Sequence, residues 1–394
     1  MTKPTAIRPP RSGAPDPDLL PEGLADRLPP RAAEAMRVTR AMVDAMAAHG
    51  YDPVQPPLVE FERSLAARMA GVRTNRLVRF TDPVSLRTLA VRADMTVQVG
   101  RIAATGLGEA PRPMRLSYAG QVLRIRGNGL EPEREQLQIG AEIIGADNVA
   151  AAAEAVLLAI DALKAAGASG ISVDFTLPDL VDTLAERAHP MDADAVDAVR
   201  RELDAKDAGG LASVGGEAFL PLLYATGPFD SAIAKLEEFD RAIIDGGALG
   251  TRIAALREIA ALVGDAARLT LDPTERHGFE YQSWFGFTVY AEGLRGALGR
   301  GGTYRVSGEA KAGHPPHDEV ATGFSLYPDP LIEANGLTQA SRIVFLPLGH
   351  DREAAAALRA DGWRTRAALL DTDDGQALRC THVLGAAGPE AIQD

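Results

Sequence analysis

In the stretch YAGQVLRIRGNGLEPEREQLQIGAEIIG, which begins at Tyr118, an arginine (Arg124), an amide (Gln138) and a carboxylate (Glu142) sit on what reads as strand, loop and strand. Asp94 and Thr96 add a second carboxylate and a hydroxyl in Val91-Arg92-Ala93-Asp94-Met95-Thr96, and Tyr281 adds a phenol in TERHGFEYQSWFGFTVYA. These residue types suit a free amino acid as ligand. Carboxylates take its ammonium, an arginine fork takes its carboxylate, and polar groups on an aromatic wall take its side chain. Each residue also has a plainer role. Arg124 would serve in a surface ion pair, Glu142 as the buttress of a core hydrogen bond, and Asp94 as a helix N-cap, with Thr96 in the first turn of that helix. Phe279 and Tyr281, two apart in an alternating run, fall on one strand face and suit core packing. His277 suits a solvated surface.

The elements that must position these groups follow from periodicity. Across residues 30–49, Ala35, Val38, Met42 and Met46 recur at helical spacing, and Gly50 closes the helix. The prolines of the next stretch, residues 51–58, confine it to a sheet edge or a strand end. Residues 78–91 read as a hairpin, 93–106 and 147–166 as helices, and 171–177 as a strand. Residues 178–264 are helical and broken by glycines, which marks a helical insertion. Strands resume at 268–272, 278–292 and 320–326; between them the glycine run 299–302 reads as a turn needing positive φ. The resulting plan is a disordered, Pro-rich N-terminus over 1–18, a core over 19–335 containing that insertion, and a small β-α-β unit over 341–394.

Composition narrows the function. With 394 residues, 46% hydrophobic and 24% charged, the chain reads as an ordinary soluble globular protein. Its 41 Lys and Arg against 54 Asp and Glu give a net charge of −13, and no basic run gathers anywhere, so nucleic acid is not an expected partner. One cysteine, Cys380, excludes an intramolecular disulfide or a multi-cysteine zinc site. His314 and His317 in AGHPPHDEV have few acidic neighbours, and neither a metal nor another cofactor is expected. Without an apolar run of spanning length or a signal core, the expectation is a cytoplasmic protein with no membrane partner.

The arrangement around Arg124, ending in Gln138-x-Gly140-x-Glu142, resembles motif 2 of class II aminoacyl-tRNA synthetases, and specifically the histidyl branch. The likeness extends over roughly residues 19–335. Leu20-Pro21-Glu22-Gly23 resembles the family's entry sequence, and residues 50–60 its motif 1, the dimer interface. The segment around Asp94 and Thr96 resembles L-R-P-[ED]-x-T. Gly278-Phe279-Glu280-Tyr281 resembles the histidine loop R-G-L-D-Y-Y, Gly301-Gly302-Thr303-Tyr304 the G-G-R-Y turn, and Ala321-Thr322-Gly323-Phe324-Ser325-Leu326 the start of motif 3. This resemblance implies an α+β fold with an antiparallel sheet flanked by helices. It also implies a histidine pocket drawn from Asp94, Thr96, Arg124, Gln138, Glu142 and Tyr281, with His277 and Phe279 nearby.

Four departures alter the implied chemistry. Histidine (His277) stands where the family's loop has its catalytic arginine, Pro330 where motif 3 has its own, Arg126 where motif 2 has an acid, and Thr303 where G-G-R-Y has arginine. Losing two arginines aimed at a phosphate transition state should cost about 2–4 kcal/mol each. That pattern is similar to the regulatory subunits of ATP phosphoribosyltransferase, a catalytically silent branch of the same fold. The resemblance implies a self-associated homodimer that joins a short-form catalytic subunit, activates the first step of histidine biosynthesis and transmits feedback by L-histidine. The competing readings are an active histidyl-tRNA synthetase and a histidine sensor with another partner.

Overall fold

The structure, a computed structural model, describes residues 19–66, 77–127, 132–243, 247–276, 282–307, 318–335, 342–385 and 388–392. His277, Phe279, Tyr281, His314, His317 and the N-terminal 1–18 lie outside the described residues. The chain divides into two compact units between Ala334 and Asn335.

The larger unit opens with α1 (Arg31–Ala48), whose Val38, Met42 and Met46 form one buried stripe. Gly50 turns the chain at φ +80° into β1 (Asp52–Pro53). A small sheet follows, made of β2 (Val59–Phe61), β3 (Arg79–Thr81) and β4 (Thr88–Val91), with α2 (Glu62–Ala66) after β2. Next come α3 (Thr96–Ala104), β5 (Met114–Leu123), β6 (Glu135–Ile144), α4 (Val149–Ala166) and β7 (Ser172–Thr176). Asn148 caps α4 by accepting the Ala151 amide at 3.0 Å, and Gly167 ends it at φ +103°. Its alanines and leucines are buried around most of its circumference, as expected of a helix inside a core rather than on it.

The next stretch holds α5 (Leu180–Arg187), α6 (Ala193–Asp204), α7 (Ala208–Ser213), β8 (Gly227–Pro228), α8 (Phe229–Ile243) and α9 (Gly250–Val263). Their buried residues, among them Leu184, Val199, Ile233 and Leu256, join the core that also holds α4. Then come β9 (Arg268–Leu271), β10 (Gln282–Tyr290), β11 (Gly299–Ser307), β12 (Asp318–Leu326) and α10 (Asp329–Asn335).

The main sheet runs β1-β5-β6-β12-β11-β10-β7-β9-β8. It is antiparallel except where β1 pairs with β5 and β7 with β9. Side chains alternate across it. On one face Ile139, Ile143, Phe285, Phe287 and Phe324 pack with α1, α4 and the helices between β7 and β9. On the other, Leu116, Tyr118, Tyr304 and Val306 pack with Met95, Val97 and Val99, at and just before the start of α3. That second face carries Glu142, Gly323, Gly302, Gly286 and Thr176 in one cross-strand row. Three consecutive glycines lower the floor between a carboxylate and a hydroxyl.

One sequence expectation is corrected here. The glycines at 299–302 do not form a turn; they belong to β11, paired along its length with β12. Close approach is what requires them. A β-carbon on Gly302 would stand 2.3 Å from the Phe285 carbonyl oxygen, and one on Gly301 2.5 Å from the Phe287 ring. Of these three glycines, Gly302 alone has positive φ, +155°.

The smaller unit holds β13 (Ile343–Leu346), α11 (Arg352–Ala360), β14 (Arg364–Ala367), β15 (His382–Gly385) and β16 (Gly388–Ala391) in the order β14-β13-β15-β16. Beyond the expected β-α-β it contains a further antiparallel pair, β15 and β16. Cys380 is buried there beside Phe345 and Ala368.

Candidate functional site

Glu142 sits two residues before the end of β6 with 1% of its surface exposed. Tyr118 on β5 donates its hydroxyl to one carboxylate oxygen at 2.9 Å, and Tyr304 on β11 donates to the other at 2.8 Å. Burial pushes the Glu142 carboxyl up to about 8, while the two phenols hold it back from rising further. Burial, aided by the neighbouring Glu142, also raises both phenols well above their ordinary range, so they remain donors. The result is a dry carboxyl poised near neutrality, suited to a ligand group that itself titrates near neutrality.

Around it a hydroxyl network closes. Thr96, the first residue of α3, stands 3.0 Å from the Tyr118 hydroxyl, which is also 3.0 Å from Ser325 Oγ. Gln138 donates from Nε2 to Ser325 Oγ at 2.8 Å and accepts the Met95 amide at 2.9 Å. Fully buried, Gln138 thus ties β6 both to β12 and to the start of α3. Asp94 is partly buried and accepts the Thr96 amide at 2.6 Å. It meets the helix one residue before the capping position, which Met95 occupies. Burial raises the Asp94 carboxyl, opposed by its hydrogen bonds with Thr96 and Gln138 and by Arg124.

Arg124 lies one residue beyond the end of β5, not within it, although its amide still bonds the Arg134 carbonyl at 2.8 Å. Its guanidinium is 5.6 Å from the centre of the Tyr327 ring. The structure therefore gathers Asp94, Thr96, Gln138 and Glu142 into one network and sets Arg124 at the Tyr327 end. A narrow cleft with a cavity of about 20 Å³ opens on this floor, lined by Thr96, Glu142, Gln282, Arg300, Tyr304 and Ser325 beside the glycines. Gln282 lies across the floor, its Nε2 donating to the Gly301 carbonyl at 2.7 Å. Among the described residues no group of three or more potential metal ligands occurs, and no helix is long and apolar enough to cross a membrane.

Sequence reasoning missed Tyr118, Tyr304, Ser325, Arg300 and Gln282. The signal for the first three was present: each lies in a segment that carries the family likeness, but only the strand pairing reveals which face it takes. Three of the four departures also find their places; His277 lies outside the described residues. Thr303 faces away from the cleft, where Ser283 donates to its hydroxyl at 2.8 Å. Arg126 is exposed. Pro330 occupies the first turn of α10, a position that needs no amide donor. A wider depression beside α8 and α9 offers less, because its Arg257 already pairs with Glu237 at 2.7 Å.

Comparison with known proteins agrees with this geometry. The histidyl-tRNA synthetase family profile matches residues 23–331. An ATP phosphoribosyltransferase regulatory subunit of Rhodospirillum centenum is 41% identical, covering 95% of this chain and 97% of the relative. That of Paramagnetospirillum magneticum is 40% identical, covering 94% and 97%. A crystal structure described as an ATP phosphoribosyltransferase regulatory subunit/histidyl-tRNA synthetase from Bacillus halodurans superposes with a TM-score of 0.77 at 25% identity, covering 93% and 97% of the two chains. The histidyl-tRNA synthetase of Nostoc, at 16% identity and a TM-score of 0.73 over 93% of this chain and 89% of its own, shares the fold.

Proposed function

The chain belongs to the family of ATP phosphoribosyltransferase regulatory subunits, built on the histidyl-tRNA synthetase fold, and we propose that it binds L-histidine in the Glu142 cleft and relays that occupancy to a short-form catalytic subunit. Its role is regulatory rather than catalytic, as the names of its relatives state of them. The observation that carries the ligand reading is the setting of Glu142: a buried carboxyl, raised to about 8, held by two tyrosine hydroxyls above a floor of glycines. An imidazole placed there shares one proton with the carboxyl, and Asp94 is at hand for the ammonium.

Self-association through the region of α1 and β1 belongs to the same proposal. Leu28, Met36 and Leu58 are apolar and exposed there, at 67%, 73% and 51%. Histidine bound to one assembled state more tightly than another shifts the population of the complex, and catalysis with it.

The test is to mix the full chain with a short catalytic subunit and measure phosphoribosyl-ATP formation and complex mass with and without histidine. Activity that appears on mixing and falls with histidine is expected. A mixture that gains no activity refutes the reading. The active-synthetase alternative, which the matched family profile brings forward, is separated by histidine-dependent ATP–pyrophosphate exchange, expected to be absent.

A further inference from the structure

Arg300 is placed as a binding group, and among the described residues its Nε has no hydrogen-bond partner. It lies on β11 between Ser325 of β12 and Thr288 of β10, on the same sheet face as Gly302 and Tyr304. It lines the cleft that Glu142 lines. Its Nε is buried without a hydrogen-bond partner, and among the described residues its guanidinium makes no ion pair. A guanidinium is a rigid fork made for a planar anion, and leaving its N–H groups unmatched lowers stability. Arg300 and Arg124 both act on the Tyr327 hydroxyl, lowering its pKa against the rise that burial imposes. Both cations therefore act on Tyr327, where Asp94 also acts, and Glu142 supplies a second acidic group. A zwitterion with a basic side chain complements that mix of charges.

We infer that Arg300 is a second ligand-binding cation of this cleft, one that takes the carboxylate of the bound amino acid. The inference rests on the histidine reading above and assigns a role to a residue that neither the motif 2 likeness nor the histidine-loop likeness includes. Gln282, which lines the same cleft and crosses its floor, must swing aside as the carboxylate arrives.

Calorimetry on the full chain with two ligands tests it: L-histidine, and L-histidinol, which has a primary alcohol in place of the carboxylate. The parent should prefer histidine. Arg300→Met should lose roughly 10- to 100-fold in histidine affinity, the scale of a charged hydrogen-bonded pair, and keep its histidinol affinity, which also certifies that the cleft is folded. Should that variant not fold, Arg300→Lys keeps a charge but not the fork, and its histidine-to-histidinol preference should still narrow. Unchanged preference in either variant, or an equal loss for both ligands, overturns the inference. If the parent binds neither ligand, the histidine reading fails and the carboxylate role with it.

Discussion

Replacing Glu142 by glutamine removes one ionisation and little else, so its effect can be worked out with a sign. The side chain is buried and accepts two hydroxyl donors at 2.8 and 2.9 Å, and burial lifts its carboxyl from an ordinary 4.5 to about 8. The folded state therefore holds this proton more tightly than the unfolded chain. Its stabilising contribution is complete below the unfolded value and drains away as pH rises toward 8. At about 1.4 kcal/mol per pKa step the ceiling on that loss is roughly 5 kcal/mol. Glutamine cannot ionise, and its amide must donate to one of the two tyrosines, at a cost of about 1 kcal/mol. The variant should thus match or slightly trail the parent at pH 5 and overtake it by a few kcal/mol at pH 9. Urea denaturation without histidine at pH 5, 7 and 9 measures this directly. Burial also raises the carboxyls of Asp94, Asp174 and Asp179, so both proteins will slope with pH. The difference between them reports Glu142 together with its electrostatic coupling to Asp94. A parent-to-variant difference that stays constant from pH 5 to 9 would refute the reasoning.

Arg124→Ala should weaken histidine binding by roughly 10-fold or more and leave the oligomer's mass unchanged; calorimetry paired with light scattering reads both. Histidine affinity itself should peak between about pH 6.5 and 8, because below that window two protonated groups meet and above it two deprotonated ones, so binding must release or take up a proton. Calorimetric titrations at pH 5.5, 7.2 and 9 would show the bell, and a monotonic trend would contradict it. Two glycines of the floor test its close packing. Gly302→Ala sets a β-carbon against the Phe285 carbonyl and should lower stability by about 3 kcal/mol or more, seen as lost yield or a fallen melting temperature. Gly323→Ala sets a β-carbon 1.6 Å from Glu142 Oε2 and 2.6 Å from the Ala141 carbonyl oxygen, so it should abolish histidine binding and lower stability as well.

How much of this was legible in the sequence depended on whether a residue's role is local. Helix α1 and helix α4 announce themselves through spacing and through Gly50 and Gly167, because cap and periodicity are properties of adjacent residues. Asp94, Thr96, Gln138 and Glu142 were found through motif likeness, and the structure brings them into contact. Tyr118 and Tyr304 were not singled out, since their value lies in a pairing across β5, β6, β12 and β11 that no local window encodes. The glycines of β11 misled for a related reason. Glycine signals a turn when read locally, whereas here each is demanded by a neighbour on another strand, such as Phe287 against Gly301. His277, Phe279 and Tyr281 lie outside the described residues, and their place in the site stays with the resemblance that named them.

A fold of this kind can lose one chemistry and keep another because the two depend on different atoms. The cleft's shape is set by backbone: Gly323, Gly302 and Gly286 lie in one row, and added β-carbons would strike Glu142, the Phe285 carbonyl or Gln282. Three of the four departures from the synthetase pattern fall elsewhere. Thr303 is satisfied on the opposite face, Arg126 is exposed, and Pro330 opens a helix. Exchanging charges at those positions leaves the floor and the Glu142 network untouched. Phosphate activation needs cations aimed at a transition state, whereas recognition needs only a carboxyl at one end and a guanidinium at the other, at fixed separation. The sheet fixes that separation by strand pairing, so amino-acid recognition can outlast the loss of adenylate chemistry and become the input of a regulator.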